Sequence, residues 1–243
     1  MPGAANLRGR PPSVAGVIDF RPSVQVILPC LDEAAALSWV LGRLPAGCSA
    51  LVVDNGSTDG SPEIARALGA TVVTAAQRGY GAACHAGLLA ADADVVAVMD
   101  CDGSLDPAQL DRVLAPLRDP GVDLVIGARR AVSARAFPWH LRMANREVAR
   151  RIRRTTGVVL RDLGPMRAAR RQPMLNLRLT DRRSGYPVQT LVKAAAAGWR
   201  IAQVDVDYRP RQGRSKVTGT PLGAWRAVRD INAVLNASAA GTG

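Results

Sequence analysis

The first half of the chain alternates between short apolar runs and stretches of helical spacing, and this alternation limits the fold more than any other property of the sequence. VQVIL, from Val24, runs into Pro29, and Glu33 to Leu44 has helical spacing until Pro45 stops it. Ala50 to Val53 is a second strand, followed by a helix expected to be capped by Ser61 with Pro62 at its first position, reaching about Leu68. Thr71 to Thr74, Asp94 to Met99 and Asp123 to Ile126 read as three more strands, with an alanine-rich helix over Gly81 to Ala91 and another opened by Pro107. Strands that alternate with helices are joined by crossovers, so an α/β fold with a mainly parallel central sheet flanked by helices is expected. Ligands of open sheets of this kind bind beyond the carboxyl ends of the strands.

Those ends carry Pro29-Cys30-Leu31-Asp32-Glu33, Asp54-Asn55-Gly56-Ser57 and Asp100-Cys101-Asp102-Gly103, so acidic side chains converge on one edge. Asp100 and Asp102 are two apart, and in extended backbone such residues share a side. Two adjacent carboxylates call for a cation, and a hard divalent ion completing its shell with substrate phosphate and water suits them: Mg2+ or Mn2+. The alternative is a solvated turn. Asp106, just before Pro107, reads as a helix cap. Asp54 is either a ligand for a base or the head of an Asx turn. Gly79 and Gly81, in RGYGAACHAG, allow backbone to approach an anion at a helix N-terminus, although neither the dinucleotide fingerprint nor the P-loop is present. His85 reads as packed and His140 as a surface residue.

The second half is different. The formal net charge is +12, nearly all from arginine, and residues 129–171 concentrate it, opposed there only by Glu147 and Asp162. Trp139 to Arg154 reads as a basic amphipathic helix with Trp139, Leu141, Met143, Val148 and Ile152 apolar. A helix over Pro187 to Ala197, a strand over Ile201 to Val206, a basic loop from Tyr208 to Lys216 and a helix over Leu222 to Leu235 follow. Residues 1–22 read as a flexible leader without a signal peptide, residues 237–243 as a frayed tail, and 23–236 as one domain with halves 23–128 and 129–236. No stretch approaches the roughly 20 apolar residues needed to span a bilayer. The four cysteines, Cys30, Cys48, Cys84 and Cys101, form no C-x-x-C pair and read as free thiols. A cytoplasmic protein is expected, with peripheral contact at the inner face of the cell membrane through residues 138–155. The basic charge suggests an anionic partner. Nucleic acid is disfavoured, because the ligand edge is acidic and only 4% of residues are aromatic, too few for base stacking.

VILPCLDE, LVVDNGSTDG, RGYGAACHAGL, VVAVMDCDGSLDP, RDLGPMRAARR and GWRIAQVDVDYRPRQGRSK, in this order, resemble the family 2 glycosyltransferases of GT-A fold, most of all the dolichol- or polyprenyl-phosphate sugar synthases. The resemblance extends over roughly residues 24–218. It implies that Pro29, Leu31, Glu33, Asp54 and Gly79, with Asp100 and Asp102, bind a UDP- or GDP-sugar, and that Asp100 and Asp102 hold the metal. It implies that Gly213, Arg214, Ser215 and Lys216 form a phosphate-binding loop and that the segment from Asp162 to Arg167 lies near the acceptor. Asp32 stands where relatives commonly carry Asn, the acceptor segment lacks its Ser and Phe, and Gln189 replaces a common acidic residue.

The reaction so implied is inverting sugar transfer. Arg129, Arg211, Arg214 and Lys216 are candidate phosphate ligands, with Arg211 also facing the leaving diphosphate. A hydroxyl acceptor needs a base, for which Asp162 and Asp181 are the candidates. A lipid monophosphate, with a second pKa of about 6, needs none. The arginine-rich stretch and Gln189 favour the phosphate; a soluble sugar or metabolite is the alternative acceptor. A sugar-nucleotide pyrophosphorylase is disfavoured, since VILPCLDEAAAL carries no glycine-rich basic loop.

Overall fold

A computed structural model describes residues 23–134, 136–212 and 220–240. The leader over 1–22 and the loop residues Gly213, Arg214, Ser215 and Lys216 lie outside the described residues. Seven strands form one sheet: β1 (Val24–Cys30), β2 (Cys48–Asp54), β3 (Thr71–Thr74), β4 (Val95–Val98), β5 (Leu124–Ala131), β6 (Arg167–Arg170) and β7 (Ile201–Tyr208). The helices are α1 (Ala34–Leu41), α2 (Ser61–Ala67), α3 (Tyr80–Ala90), α4 (Leu110–Leu114), α5 (Trp139–Thr156), α6 (Arg171–Asn176), α7 (Tyr186–Ala196) and α8 (Pro221–Ala240).

The spatial order is β3-β2-β1-β4-β6-β5-β7. The first four strands are mutually parallel, β7 is parallel to β5, and β6 runs antiparallel between β4 and β5. From β1 the chain winds outward to β2 and β3, then returns to β4 on the other side of β1. The crevice between the ends of β1 and β4 is therefore the switch point at which an open α/β sheet accepts ligand. Alternate residues serve opposite faces: Val26 and Leu28 of β1 join one core with α1 and α4, while Ile27 and Val96 join the other with α3 and α7. Fully burying each such Val, Leu or Ile stabilises the fold by about 1.5–3 kcal/mol.

Several expectations are corrected. The Arg167–Arg170 strand, RAAR, has no apolar run and was not anticipated. It is tolerated between two strands because Ala168 and Ala169 fill the core, while Arg167 donates to the carbonyls of Leu163, Gly164 and Pro187, and Arg170 to those of Leu117 and Val122. α6 was likewise not anticipated. β5 runs on past Ile126 because β7 pairs with it over eight residues, to Ala131. Ser61 does not cap α2. Gly60 takes that position, and Asp59 accepts the Ser61 N–H at 3.0 Å. The last helix continues to Ala240 through the stretch expected to fray, where alanine favours helix. Asp106 does cap the turn at Pro107, accepting from the Ala108 N–H at 3.1 Å.

Candidate active site

The loop after β1 is clasped by the loop after β2. Ser57 Oγ accepts from the Asp32 N–H, Ser61 Oγ from Glu33 N–H, and Asp59 from Ala34 N–H, each at 2.9–3.0 Å. Asp32 sits at φ 53° and accepts from Thr58 N–H at 2.7 Å. Asn and Asp are the side chains that best tolerate that left-handed region, so Asp in place of Asn leaves this turn intact. Asp54 uses both carboxylate oxygens on the N–H groups of Gly56 and Ser57, the Asx-turn alternative, and its neighbour Asn55 lines the pocket. Asn55 then ties β2 to the start of α3, accepting from Gly79 N–H at 2.7 Å and donating to the Gln77 carbonyl at 2.8 Å.

Gly79 faces the backbone of another loop. It has φ 142°, and a Cβ there would lie 2.3 Å from the Arg182 carbonyl oxygen. Gly81 meets the same loop, with Ala82 N–H donating to the Arg182 carbonyl. The two glycines admit the 182–183 backbone, a close approach that the sequence reading assigned to an anion.

A pocket of about 330 Å³ occupies the β1/β4 crevice. Pro29, Cys30, Leu31 and Glu33 line it from the end of β1 and the loop after it; Asp100, Cys101 and Asp102 from the loop after β4; Tyr80 and Ala83 from α3; Arg211 from the segment after β7; and Ser184, Pro187, Ala227 and Ile231 from the α7 and α8 side. Asp100 and Asp102 thus face one cavity, as their spacing predicts. Tyr80 donates its hydroxyl to Asp100 at 3.2 Å. Burial, and then the charge of Asp102, push the Asp100 carboxyl up to about 6. Asp102 accepts from Ser104 N–H at 2.9 Å and pairs with Arg211 at 3.2 Å. The segment after β7 is fastened there by backbone bonds from Arg209 to Ser104 and from Gln212 to Asp102, both 2.8 Å. The chemistry of the pair therefore invites positive charge. Among the described residues no group of three or more His, Cys, Asp or Glu could hold a metal. A divalent ion fits here only if substrate oxygens and water complete its shell, as Mg2+ does in phosphate sites.

A second cleft, also about 330 Å³, lies beyond β5, lined by Arg129, Arg130, Arg142, Asn145, Arg146, Arg161 and Asp162 among others. Arg129 grips Asp162 through Nε and an Nη at 2.9 and 2.8 Å, and its backbone N–H adds a third bond at 2.8 Å. Its guanidinium stacks over Phe137, 4.1 Å from the ring centre. Asp162, one of the two base candidates for a hydroxyl acceptor, is thereby engaged with Arg129. Asp181 lies in a turn, accepting from Arg183 N–H at 2.7 Å, and it does not line the β1/β4 pocket. Gln189 holds that turn, accepting from the N–H of Thr180 and Asp181 and donating to Thr180 Oγ1.

A third cavity, of about 340 Å³, lies between the sheet and α5, α7 and α8. Its walls are largely apolar, including Val98, Leu141, Val148, Leu163, Val188 and Val228; Tyr80, Ser184, Pro187 and Ile231 line both it and the β1/β4 pocket, and Arg129 both it and the arginine cleft. Tyr80, Asn55, Ser184, Pro187, Ala227 and Ile231 are not among the candidate residues read from the sequence, although Asn55, beside Asp54, and Tyr80, between Gly79 and Gly81, sit in motifs that pointed there. α5 buries Ala149 and Ile152, while Trp139 and Met143 at its start are exposed, as are Leu222, Trp225 and Val228 of α8. No helix among the described residues is long and apolar enough to cross a membrane. His85 packs edge-on against Tyr186 and His140 is exposed.

The family model for glycosyl transferase family 2 matches residues 24–178. An uncharacterized glycosyltransferase of Mycobacterium tuberculosis (strain ATCC 25618 / H37Rv) is 47% identical over 88% of this chain and 98% of its own. A dolichyl-phosphate hexose transferase of Haloferax volcanii is 34% identical over 79% of this chain and 85% of its own. Among solved structures, glucosyl-3-phosphoglycerate synthase from Mycobacterium tuberculosis, in complex with Mn2+, UDP and glucosyl-3-phosphoglycerate, superposes with a TM-score of 0.69 at 26% identity, covering 90% of this chain and 80% of that one.

Proposed function

Because the chain belongs to glycosyl transferase family 2 and has its GT-A fold, we propose that it transfers a sugar, with inversion, from a UDP- or GDP-sugar to a polyprenyl phosphate at a membrane surface. The observation that carries this reading is the meeting of three spaces around Arg129 and Tyr80: an acidic pocket, an arginine-lined cleft and an apolar cavity. A nucleotide diphosphate with its ion suits the first, a phosphate the second and a hydrocarbon tail the third. The relative named for dolichyl-phosphate hexose transfer supports the same acceptor. The exposed Trp139, Met143, Leu222 and Trp225, beside the basic face of α5, suit peripheral contact with an anionic bilayer.

Asp100 and Asp102 would hold Mg2+ or Mn2+, which when bound supplies neutralising charge to the departing diphosphate. Glu33, Leu31 and Pro29 line the pocket for the nucleotide. Arg211, 3.2 Å from Asp102, is placed to turn toward the diphosphate. Arg142 and Arg146, with Arg129 fixed by Asp162, orient the acceptor phosphate. One of its oxygens attacks the anomeric carbon as the bond to the diphosphate breaks. That oxygen is already largely ionised near neutral pH, its second pKa being about 6, so no base is assigned. A soluble phosphorylated acceptor is the second reading, supported by the phosphoglycerate product held in the solved synthase.

The test supplies labelled UDP- and GDP-sugars with Mn2+ and either a polyprenyl phosphate in anionic vesicles or phosphoglyceric acid. Label passing into the organic phase is expected. Label found only in the aqueous product would move the acceptor to the second reading. Absence of transfer, together with no Mn2+-dependent stabilisation by either nucleotide, would sink both.

A further inference from the structure

Two of the four free cysteines meet at the switch point. The β1–β4 register runs to Ile27 opposite Val98, and the Met99 N–H carries it on by donating to the Ile27 carbonyl at 3.1 Å, two residues before Cys101. Val26, Leu28 and Cys30 on one strand, and Val95, Ala97, Met99 and Cys101 on the other, belong to the same core face, so both sulfurs lie on that side of the sheet. The Cys101 thiol donates to the Pro29 carbonyl at 3.0 Å, one peptide from Cys30. The two side chains are close enough to influence each other. Neighbouring strands run about 4.8 Å apart, inside the roughly 4.4–6.8 Å between Cα atoms that a disulfide spans. Each cysteine is only 1% exposed, yet both line the pocket that holds Asp100 and Asp102. Cys48 begins β2 at the opposite end of the sheet and Cys84 lies on α3 against the other face, so neither competes for this pairing.

We propose that Cys30 and Cys101 form a redox modification site, in which a peroxide entering through the pocket converts the pair to a disulfide and disables the intervening acidic site. One sulfur attacks a peroxide oxygen and the O–O bond breaks, giving a sulfenic acid and a water or alcohol. The second thiol attacks that sulfur, forming the S–S bond and releasing water. Two thiols lose two electrons and two protons, the peroxide is reduced, and a dithiol reverses the change by exchange. Cys101 is flanked by Asp100 and Asp102, so a bond tying it to β1 fixes the backbone between the two carboxylates and removes the freedom they need to close around an ion. A nucleotide seated in the pocket blocks the oxidant's route. The structural claim stands on the thiol geometry; the loss of nucleotide binding rests on the donor-site reading above.

The test treats the reduced full chain with hydrogen peroxide, alkylates it under denaturing conditions, and maps the cysteines by peptide mass spectrometry. A linked Cys30–Cys101 peptide, restored to two alkylated peptides by dithiothreitol, is expected, with Cys48 and Cys84 alkylated throughout. Cys101→Ser abolishes the linkage. In wild type, the melting shift given by UDP or GDP with Mn2+ is lost on oxidation and regained on reduction. In Cys101→Ser, compared with its own untreated state, peroxide leaves the shift unchanged. Sulfinic or sulfonic acid without a linked peptide, or no reaction at these residues, overturns the proposal. A linked peptide in a protein that shows no nucleotide shift even when reduced leaves the modification site standing and overturns the donor-site reading instead.

Discussion

The two ends of this sheet handle charge in opposite ways. Beyond β1 and β4, Asp100 and Asp102 share a pocket with Arg211 as the nearby cation, and Asp100 pays for the crowding with a carboxyl pushed up to about 6 by burial and its neighbour. Beyond β5 the arginines largely bring their own counter-ions: Arg129 with Asp162, Arg130 with Asp207 and Arg161 with Asp205. The acidic end is therefore left partly unneutralised, while the basic end is largely paired and offers an anion chiefly Arg142 and Arg146. A site that must bind and release a leaving group with its ion gains from incomplete neutralisation. One that only orients an acceptor gains from rigidity.

The comparison can be broken most forcefully at Arg129. Arg129→Ala leaves Asp162 buried without its partner, and such losses cost about 3–5 kcal/mol. A fall in melting temperature of roughly 10 °C, followed by circular dichroism, is expected for a domain of this size; Lys at 129 restores only part of it, lacking the two-pronged grip. A change under 1 °C would show the basic end is not self-supporting. Asp102→Ala should leave the fold in place but remove Mn2+-dependent stabilisation by nucleotide and slow transfer at least about 100-fold, measured by thermal shift and label transfer. Gly79→Ala forces a side chain to φ 142° against the Arg182 carbonyl, costing about 1–3 kcal/mol in urea unfolding. Arg142→Ala with Arg146→Ala should raise the acceptor KM about tenfold, about 1.4 kcal/mol, with nucleotide binding unchanged. An equal weakening of nucleotide would merge the two ends into one site.

The smallest effect expected is at Asp106. The Arg43 guanidinium, with bonds of 2.9 Å, holds its carboxyl below the usual carboxylate range, against the opposing effect of burial. A carboxyl depressed in the folded state contributes stability that is full above its unfolded pKa of about 3.9 and is lost as pH falls through the lower folded value. Asp106→Asn should cost about 1 kcal/mol at neutral pH. Urea unfolding should show that gap constant down to about pH 4 and closing below it.

The same division governs what could be read from the chain itself. In the first half, parallel strands covered on both faces appear as unbroken apolar runs, so β1 to β4 and the acidic ends of the crevice are legible. Asp100 and Asp102 share a pocket, as their spacing implies. The second half carries the opposite signature. RAAR makes a central strand because backbone carbonyls, invisible in a local pattern, accept from Arg167 and Arg170. The glycines around Tyr80 announced a close approach without saying to what, and the partner proved to be a loop a hundred residues away. Asp162 is a base candidate for a hydroxyl acceptor in the sequence, where its pairing with Arg129, 33 positions earlier, is not visible. Long-range pairing, not composition, is what the local sequence leaves hidden.

The antiparallel insertion of β6 has a consequence for how the molecule is made. During synthesis β4 emerges with β1 as its neighbour, but its other edge stays open until Arg167–Arg170 arrives, and β5, made earlier, has neither of its two neighbours yet. A nascent chain that stops after β5 therefore presents three unsatisfied strand edges, one on β4 and two on β5, the arrangement from which intermolecular pairing grows. Four residues with no apolar signature act as the keystone of the sheet, and until the ribosome has passed them the acidic crevice stands on an arch that has not yet been closed.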